Sequence, residues 1–182
     1  FYPFNPDPWD VHIDDIASGI SKKCRYSGQS SAFYSVAEHS CLALALLPRT
    51  ATWEVAMATL LHDAGEAYLA DVARPLKNTS EFAVFRRVED RLLEAIFAAY
   101  ELPFKELPEE AKKADDWAGV IEWPYLMSTD GLPNYFGDEM MLLPHSPLQG
   151  GFISSGIPSV GRLHCWCPRQ AEFEFLKTFN RL

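Results

Sequence analysis

An all-α fold is what this sequence predicts, and three observations predict it. Apolar residues recur at three- and four-residue spacing in segment after segment. Proline, serine and threonine punctuate those segments where helices start and stop. No stretch alternates polar and apolar residues as a half-buried strand would. There is no internal repeat, and 182 residues that are 48% hydrophobic suffice for one core, so residues 1–182 are read as a single helical-bundle domain.

Residues 1–10 carry three prolines and read as an extended arm. Asp14-Asp15 open a helix with Ile16, Ile20 and Cys24 on one stripe, and Ser27-Gly28-Gln29-Ser30-Ser31 is a loop. Ser35-Val36-Ala37-Glu38 has the form of a capping box, starting a helix that carries His39 and stops before Pro48. A third helix is expected from about Thr52 to Ala64, with Val55, Ala58, Thr59 and His62 on one face, His62-Asp63 closing it, and Gly65 permitting a tight turn or kink. Arg74-Pro75 reads as a break. Ser80 is expected to cap a helix over Glu81–Tyr100, amphipathic through Phe82, Phe85, Val88, Leu92 and Ile96. Pro108 starts a further helix to about Trp123, on which Asp115 and Glu122, seven apart, share a face. Residues 124–168 lose periodicity and gain glycine and proline: a long irregular segment, read as a pocket lid or subunit contact through Tyr135, Phe136, Met140, Met141 and Phe152. Ala171–Leu182 is a last helix with Phe173, Leu176 and Phe179 as its buried stripe.

A net charge of −9 argues against a broad basic face for duplex nucleic acid, but leaves room for a small anion held by a few local cations. Cys24 and Cys41 read as buried free thiols. Cys165-Trp166-Cys167 has one residue between its thiols and forms no zinc-ribbon or redox pair. No secretory leader pattern and no bilayer-length apolar run are found, so no membrane association and a cytoplasmic setting are expected.

The chemistry-bearing residues are His39, His62-Asp63 and Asp115, on three separate predicted helices. A lone histidine on an apolar face is usually a satisfied core residue. Two imidazoles and two carboxylates on helices that can converge in a bundle interior instead suit a divalent metal with positions left for water.

His39…His62-Asp63…Asp115 resembles the signature of the HD-domain phosphohydrolase superfamily. The nearer likeness is to its small members, which include bacterial 5′-deoxynucleotidases and short phage dATP triphosphohydrolases. It is carried by Cys24-Arg25-Tyr26, Phe33 to Ser40, Leu60 to Tyr68, Asp71, Arg74 to Lys77, Asp115 and Glu122, covering roughly residues 11–127, and by the stretch from Trp166 to Leu182. The resemblance implies an HD-domain helical bundle and one divalent cation (Co, Mn, Zn, Fe or Mg) on His39, His62, Asp63 and Asp115, with Asp116 the competitor for the last position. It implies Glu66 as the group that orients or deprotonates the attacking water, Asp71 as its assistant, and Arg25 and Lys77 as phosphate-binding cations. Tyr26 and Pro75 match positions that line the base and sugar pocket. Gln29 and Lys113 stand where many relatives carry histidine, which puts an acid or second-metal role at the first of these in doubt. His12, His145 and His164 match no ligand position and read as surface or packing residues.

The resulting expectation is a metal-dependent phosphohydrolase acting on small deoxynucleotides, with deoxyadenylates (dATP, dADP, dAMP) favoured, in a homo-oligomer. The alternatives are a 5′-deoxynucleotidase of broad base range on monophosphates and a non-catalytic nucleotide-binding regulator.

Overall fold

The computed structural model describes residues 1–127 and 163–182, and of Arg74 only the backbone. These residues form α1 (Ile13–Ser21), α2 (Val36–Ala45), α3 (Trp53–Leu60), α4 (Arg74–Lys77), α5 (Ala83–Ala99), α6 (Glu109–Leu126) and α7 (Pro168–Phe179). The expected all-α bundle is found. The only extended pairing among the described residues is an isolated antiparallel bridge between Cys24 and Ser35.

The bundle is organised around α2, which packs on α1, α3, α6 and α7 and is buried on nearly every side. A helix apolar all round belongs in the interior, and that position carries Glu38 and His39 into the core. α3 packs on both α2 and α6. α1 packs on α7 and on a 3-10 turn at Ala64–Ala67, and α5 covers the same turn. The approach of α1 to this turn needs Gly19: a Cβ there would sit 2.7 Å from the Ala67 Cβ and 2.8 Å from its Cα.

Local structure departs from expectation in several places. The 1–10 arm contains a 3-10 turn at Pro8–Asp10, capped by the Asp7 carboxylate. Cys24 lies outside α1, in the bridge that clamps the 25–34 loop, and is half-buried. Cys41 is buried as expected, and burial pushes its thiol up to about 12. The box at Ser35 is half realised. The Ser35 hydroxyl accepts from the Glu38 N–H at 3.1 Å, but the Glu38 carboxylate accepts instead from the backbone N–H groups of His164, Cys165 and Trp166 at 2.8, 3.0 and 2.7 Å. Three converging donors outcompete the single N–H of the cap.

α3 ends at Leu60, so His62 and Asp63 sit in the turn beyond it rather than closing it. His62 Nδ1 donates to the Thr59 carbonyl at 2.8 Å, taking the acceptor that the Asp63 N–H would need in a continuing helix. Gly65 does not have a left-handed φ, and a Cβ there would only touch Leu92 at 3.4 Å. Arg74-Pro75 opens the short α4 instead of breaking a helix, as proline at the start of a helix permits. The Ser80 hydroxyl bonds to the Glu81 carboxylate and caps nothing; Ser80–Phe82 is a 3-10 turn, and α5 starts at Ala83. Val88, Leu92 and Ile96 are buried as expected, while Phe82 and Phe85 pair edge-on at the border.

α6 runs through Pro124 to Leu126 instead of stopping at Trp123. Pro124 removes one N–H near the end of the helix, and the Met127 N–H still reaches the Trp123 carbonyl at 2.9 Å. α7 starts at Pro168 rather than Ala171, and its buried face is Ala171, Phe175 and Thr178. Phe173 is 58% exposed, and Leu176 and Phe179 are half-buried. A three-residue repeat falls short of a full turn by about 60° per step, so the 173/176/179 stripe drifts off the core face. His12 and His164 are exposed as expected, with His164 stacked on Trp166. His145 and the lid or contact assigned to Tyr135, Phe136, Met140, Met141 and Phe152 lie outside the described residues.

Candidate metal centre

His39 enters the site from the first turn of α2, placed there by the Ser35 cap and pressed in by the burial of α2 on nearly every side. Its Nδ1 donates to Glu122 Oε1 of α6 at 2.5 Å. His62 reaches the same point from the turn after α3, with its Nδ1 committed to the Thr59 carbonyl. A carbonyl only accepts and a carboxylate accepts best, so both rings carry hydrogen on Nδ1 and aim Nε2 inward. The two Nε2 atoms stand 3.2 Å apart.

Carboxylate oxygens complete the cluster. Asp63 Oδ2 lies 3.2 Å from His62 Nε2 and 3.7 Å from His39 Nε2. Asp115 Oδ1 lies 3.0 Å from His39 Nε2 and 3.7 Å from His62 Nε2. The imidazoles are walled in at 0% and 4% side-chain exposure, and the two aspartates at 22% and 19% form the open side. Two neutral imidazoles with inward lone pairs and two carboxylates need about two positive charges between them. Two protons or one divalent cation supply that. His39, His62 and Asp63 each offer one atom, all within 4.8 Å of one another, and could hold a metal ion.

The titration of the groups follows the same logic. Burial alone would lower His62, but Asp63 and Asp115 outweigh it and hold its pKa well above the usual histidine value. Burial and the Arg25 charge both depress His39; Glu122 and Asp115 overcome them and leave it raised. Burial works against ionised Asp63 and Asp115, and the imidazoles hold both below the usual aspartate range. The cluster therefore keeps positive charge on Nε2 when protons are the only source of it.

The other predicted site residues divide. Glu66 is buried in the Ala64–Ala67 turn, and its Oε2 has no hydrogen-bond partner among the described residues. Burial, then Asp63 and Asp71, push its carboxyl well above the usual range. Asp71 is half-buried and raised by burial, against the opposing charge of Arg25. Arg25 stands at the cluster, bonding Asp63 Oδ2 through Nη1 at 3.3 Å and Glu122 Oε2 through Nε at 3.2 Å. Tyr26 donates its hydroxyl to Glu122 Oε2 at 2.7 Å from a left-handed backbone (φ 57°). Lys77 is drawn to α5, where it pairs with Glu89 at 2.8 Å, and Pro75 is exposed on α4.

Sequence reasoning gave Glu122 no role, although it is fully buried and joins His39, Arg25 and Tyr26. The signal was present in its seven-residue spacing from Asp115, which puts both carboxylates on the inner face of α6.

No protein-family model matches the chain. It is similar to the uncharacterized protein YfdR of Escherichia coli (strain K12), with 40% identity over 94 residues, 52% of this chain and 49% of that protein. It is also similar to the uncharacterized protein RCAP_rcc00048 of Rhodobacter capsulatus, with 37% identity over 124 residues, 64% of this chain and 61% of that protein. The matched regions span about half and about three fifths of these two relatives. No helix among the described residues is long and apolar enough to cross a membrane.

Proposed function

We propose that the chain is a metal-dependent phosphohydrolase of the HD type, releasing phosphate from deoxynucleotides, with deoxyadenylates preferred. The observation that carries this reading is the cluster of His39, His62, Asp63 and Asp115, in which both imidazoles are locked at Nδ1 and need positive charge at Nε2. His39, His62 and Asp63 would hold the cation, with Asp115 as the fourth ligand. When bound, a divalent cation supplies Lewis acidity toward a phosphate oxygen and lowers the pKa of water.

The protein's own groups would do the rest. Glu66 accepts the proton of the attacking water: its buried Oε2 has no competing partner among the described residues, and its raised pKa makes it a better base once ionised. Asp71, half-buried beyond Glu66, assists in orienting that water. The Arg25 guanidinium, already at the cluster, offsets charge on the phosphate oxygens, and Lys77 adds a more distant cation. Tyr26 and Pro75 border the base and sugar, and a homo-oligomer is the proposed assembly.

The test is phosphate release from the deoxy- and ribonucleoside mono-, di- and triphosphates with Mn²⁺ or Co²⁺, for the wild type and Glu66→Ala. Release from deoxyadenylates that is lost in Glu66→Ala is the expected result. No release from any nucleotide, together with retained nucleotide binding, would replace the hydrolase with a binding regulator.

A further inference from the structure

We infer that Glu122 is the positioning residue of the metal centre, its two oxygens dividing the work: Oε1 sets the His39 ring, and Oε2 sets Arg25 and Tyr26. The inference rests on the metal-binding half of the reading above and not on the phosphate chemistry.

A fully buried carboxylate is retained only where donors satisfy it. Glu122 has three, from two parts of the chain: the His39 Nδ1–H of α2 at 2.5 Å, and the Arg25 Nε–H and Tyr26 O–H of the loop before α2 at 3.2 and 2.7 Å. Reaching them from the inner face of α6, it ties that helix to both. The two histidines are thus supported differently, His62 by the neutral Thr59 carbonyl and His39 by a carboxylate. A carboxylate behind a ligating imidazole fixes the ring's orientation and raises its basicity.

The Oε2 side has a separate consequence. Tyr26 and Ser27 hold φ of 57° and 53°, a left-handed state that non-glycine residues rarely adopt. The hydrogen bond from the Tyr26 hydroxyl to Glu122 anchors that conformation, and the Arg25 guanidinium is held between Glu122 and Asp63. Glu122 therefore sets both a ring that would ligate the cation and the Arg25 guanidinium beside it, with both of its own oxygens committed to those partners.

The experiment uses the full chain with Mn²⁺ measured by calorimetry and Co²⁺ by visible absorption. Glu122→Gln keeps the shape but turns one acceptor into a donor facing Arg25 and Tyr26 or His39. Glu122→Asp keeps the charge but cannot span to His39, and serves where the Gln variant does not fold. Glu109→Gln removes the same charge from an exposed position on the same helix. The expected result is an Mn²⁺ affinity about ten- to a hundredfold weaker in the Glu122 variants, with an altered Co²⁺ spectrum and unchanged far-ultraviolet dichroism, and no change in Glu109→Gln. Wild-type affinity and spectrum in folded Glu122 variants overturn the inference and leave the metal site standing. Absence of Mn²⁺ and Co²⁺ binding in the wild type overturns both.

Discussion

The imidazoles of His39 and His62 are each held at Nδ1, whereas Glu66, four residues beyond His62, has a buried oxygen held by nothing among the described residues. The proposed ligand cluster comes from α2, the turn just after α3, and α6, with Thr59 and Glu122 behind the two rings. Glu66, Asp71, Pro75 and Lys77 come from a 3-10 turn, a coil and the four-residue α4. One half is fixed before any ligand arrives. The other leaves the Glu66 Oε2 without a partner among the described residues, which is costly for stability and available for chemistry.

The largest effect that tests this contrast is at Glu66. Glu66→Gln is expected to lower phosphate release about 10²- to 10⁴-fold, as loss of a general base does, with Mn²⁺ affinity nearly unchanged. The same substitution separates function from stability. Glu66 is an acid whose folded pKa is raised, so its contribution to stability is fully present below the ordinary glutamate value and is lost as pH rises through the folded one. Metal-free Glu66→Gln should therefore melt higher than the wild type at alkaline pH, with the gap closing toward acid. A gap that does not change with pH contradicts the assignment of a raised pKa.

Gly19 offers a subtler break. Gly19→Ala drives a methyl into Ala67, and since backbone crowds the site as well as the Ala67 Cβ, the Ala64–Ala67 turn must shift. A destabilisation of about 1–3 kcal/mol is expected, read by denaturant melts. Turnover should fall with it through displacement of Glu66, while metal affinity holds. Equal losses of both would show that the two halves are not built independently.

The smallest effect is expected at Lys77. Its bridge to Glu89 is partly exposed, so Lys77→Ala should cost no more than about 1 kcal/mol of stability. A modest rise in KM with kcat preserved is the expected kinetic outcome, and an unchanged KM would remove Lys77 from the substrate site.

The same contrast explains what could be read in advance. Helix-borne features were legible because periodicity and caps are local: the stripe of α5, the Ser35 cap and the shared face of Asp115 and Glu122 follow from spacing alone. The end of α3 was not, because the stop at Leu60 comes from a side chain, His62, bonding back to Thr59. The Phe173 stripe failed because a period of three imitates a helix face for a turn and then drifts; the core takes Phe175. The Glu38 carboxylate could not be assigned to residues 164–166 from sequence, since its donors lie more than 120 residues away. The partners of Arg25, 38 and 97 residues away, were hidden because they too lie far off along the chain.

The cluster of His39, His62, Asp63 and Asp115 is proposed to take a divalent cation in place of protons, and Mn²⁺ titration of the metal-free full chain tests this most directly. The account predicts saturable one-to-one binding that raises the melting temperature, weakens as pH falls because protons compete for Nε2, and disappears in His62→Ala. Undiminished Mn²⁺ binding in His62→Ala, or none in the wild type, would contradict it.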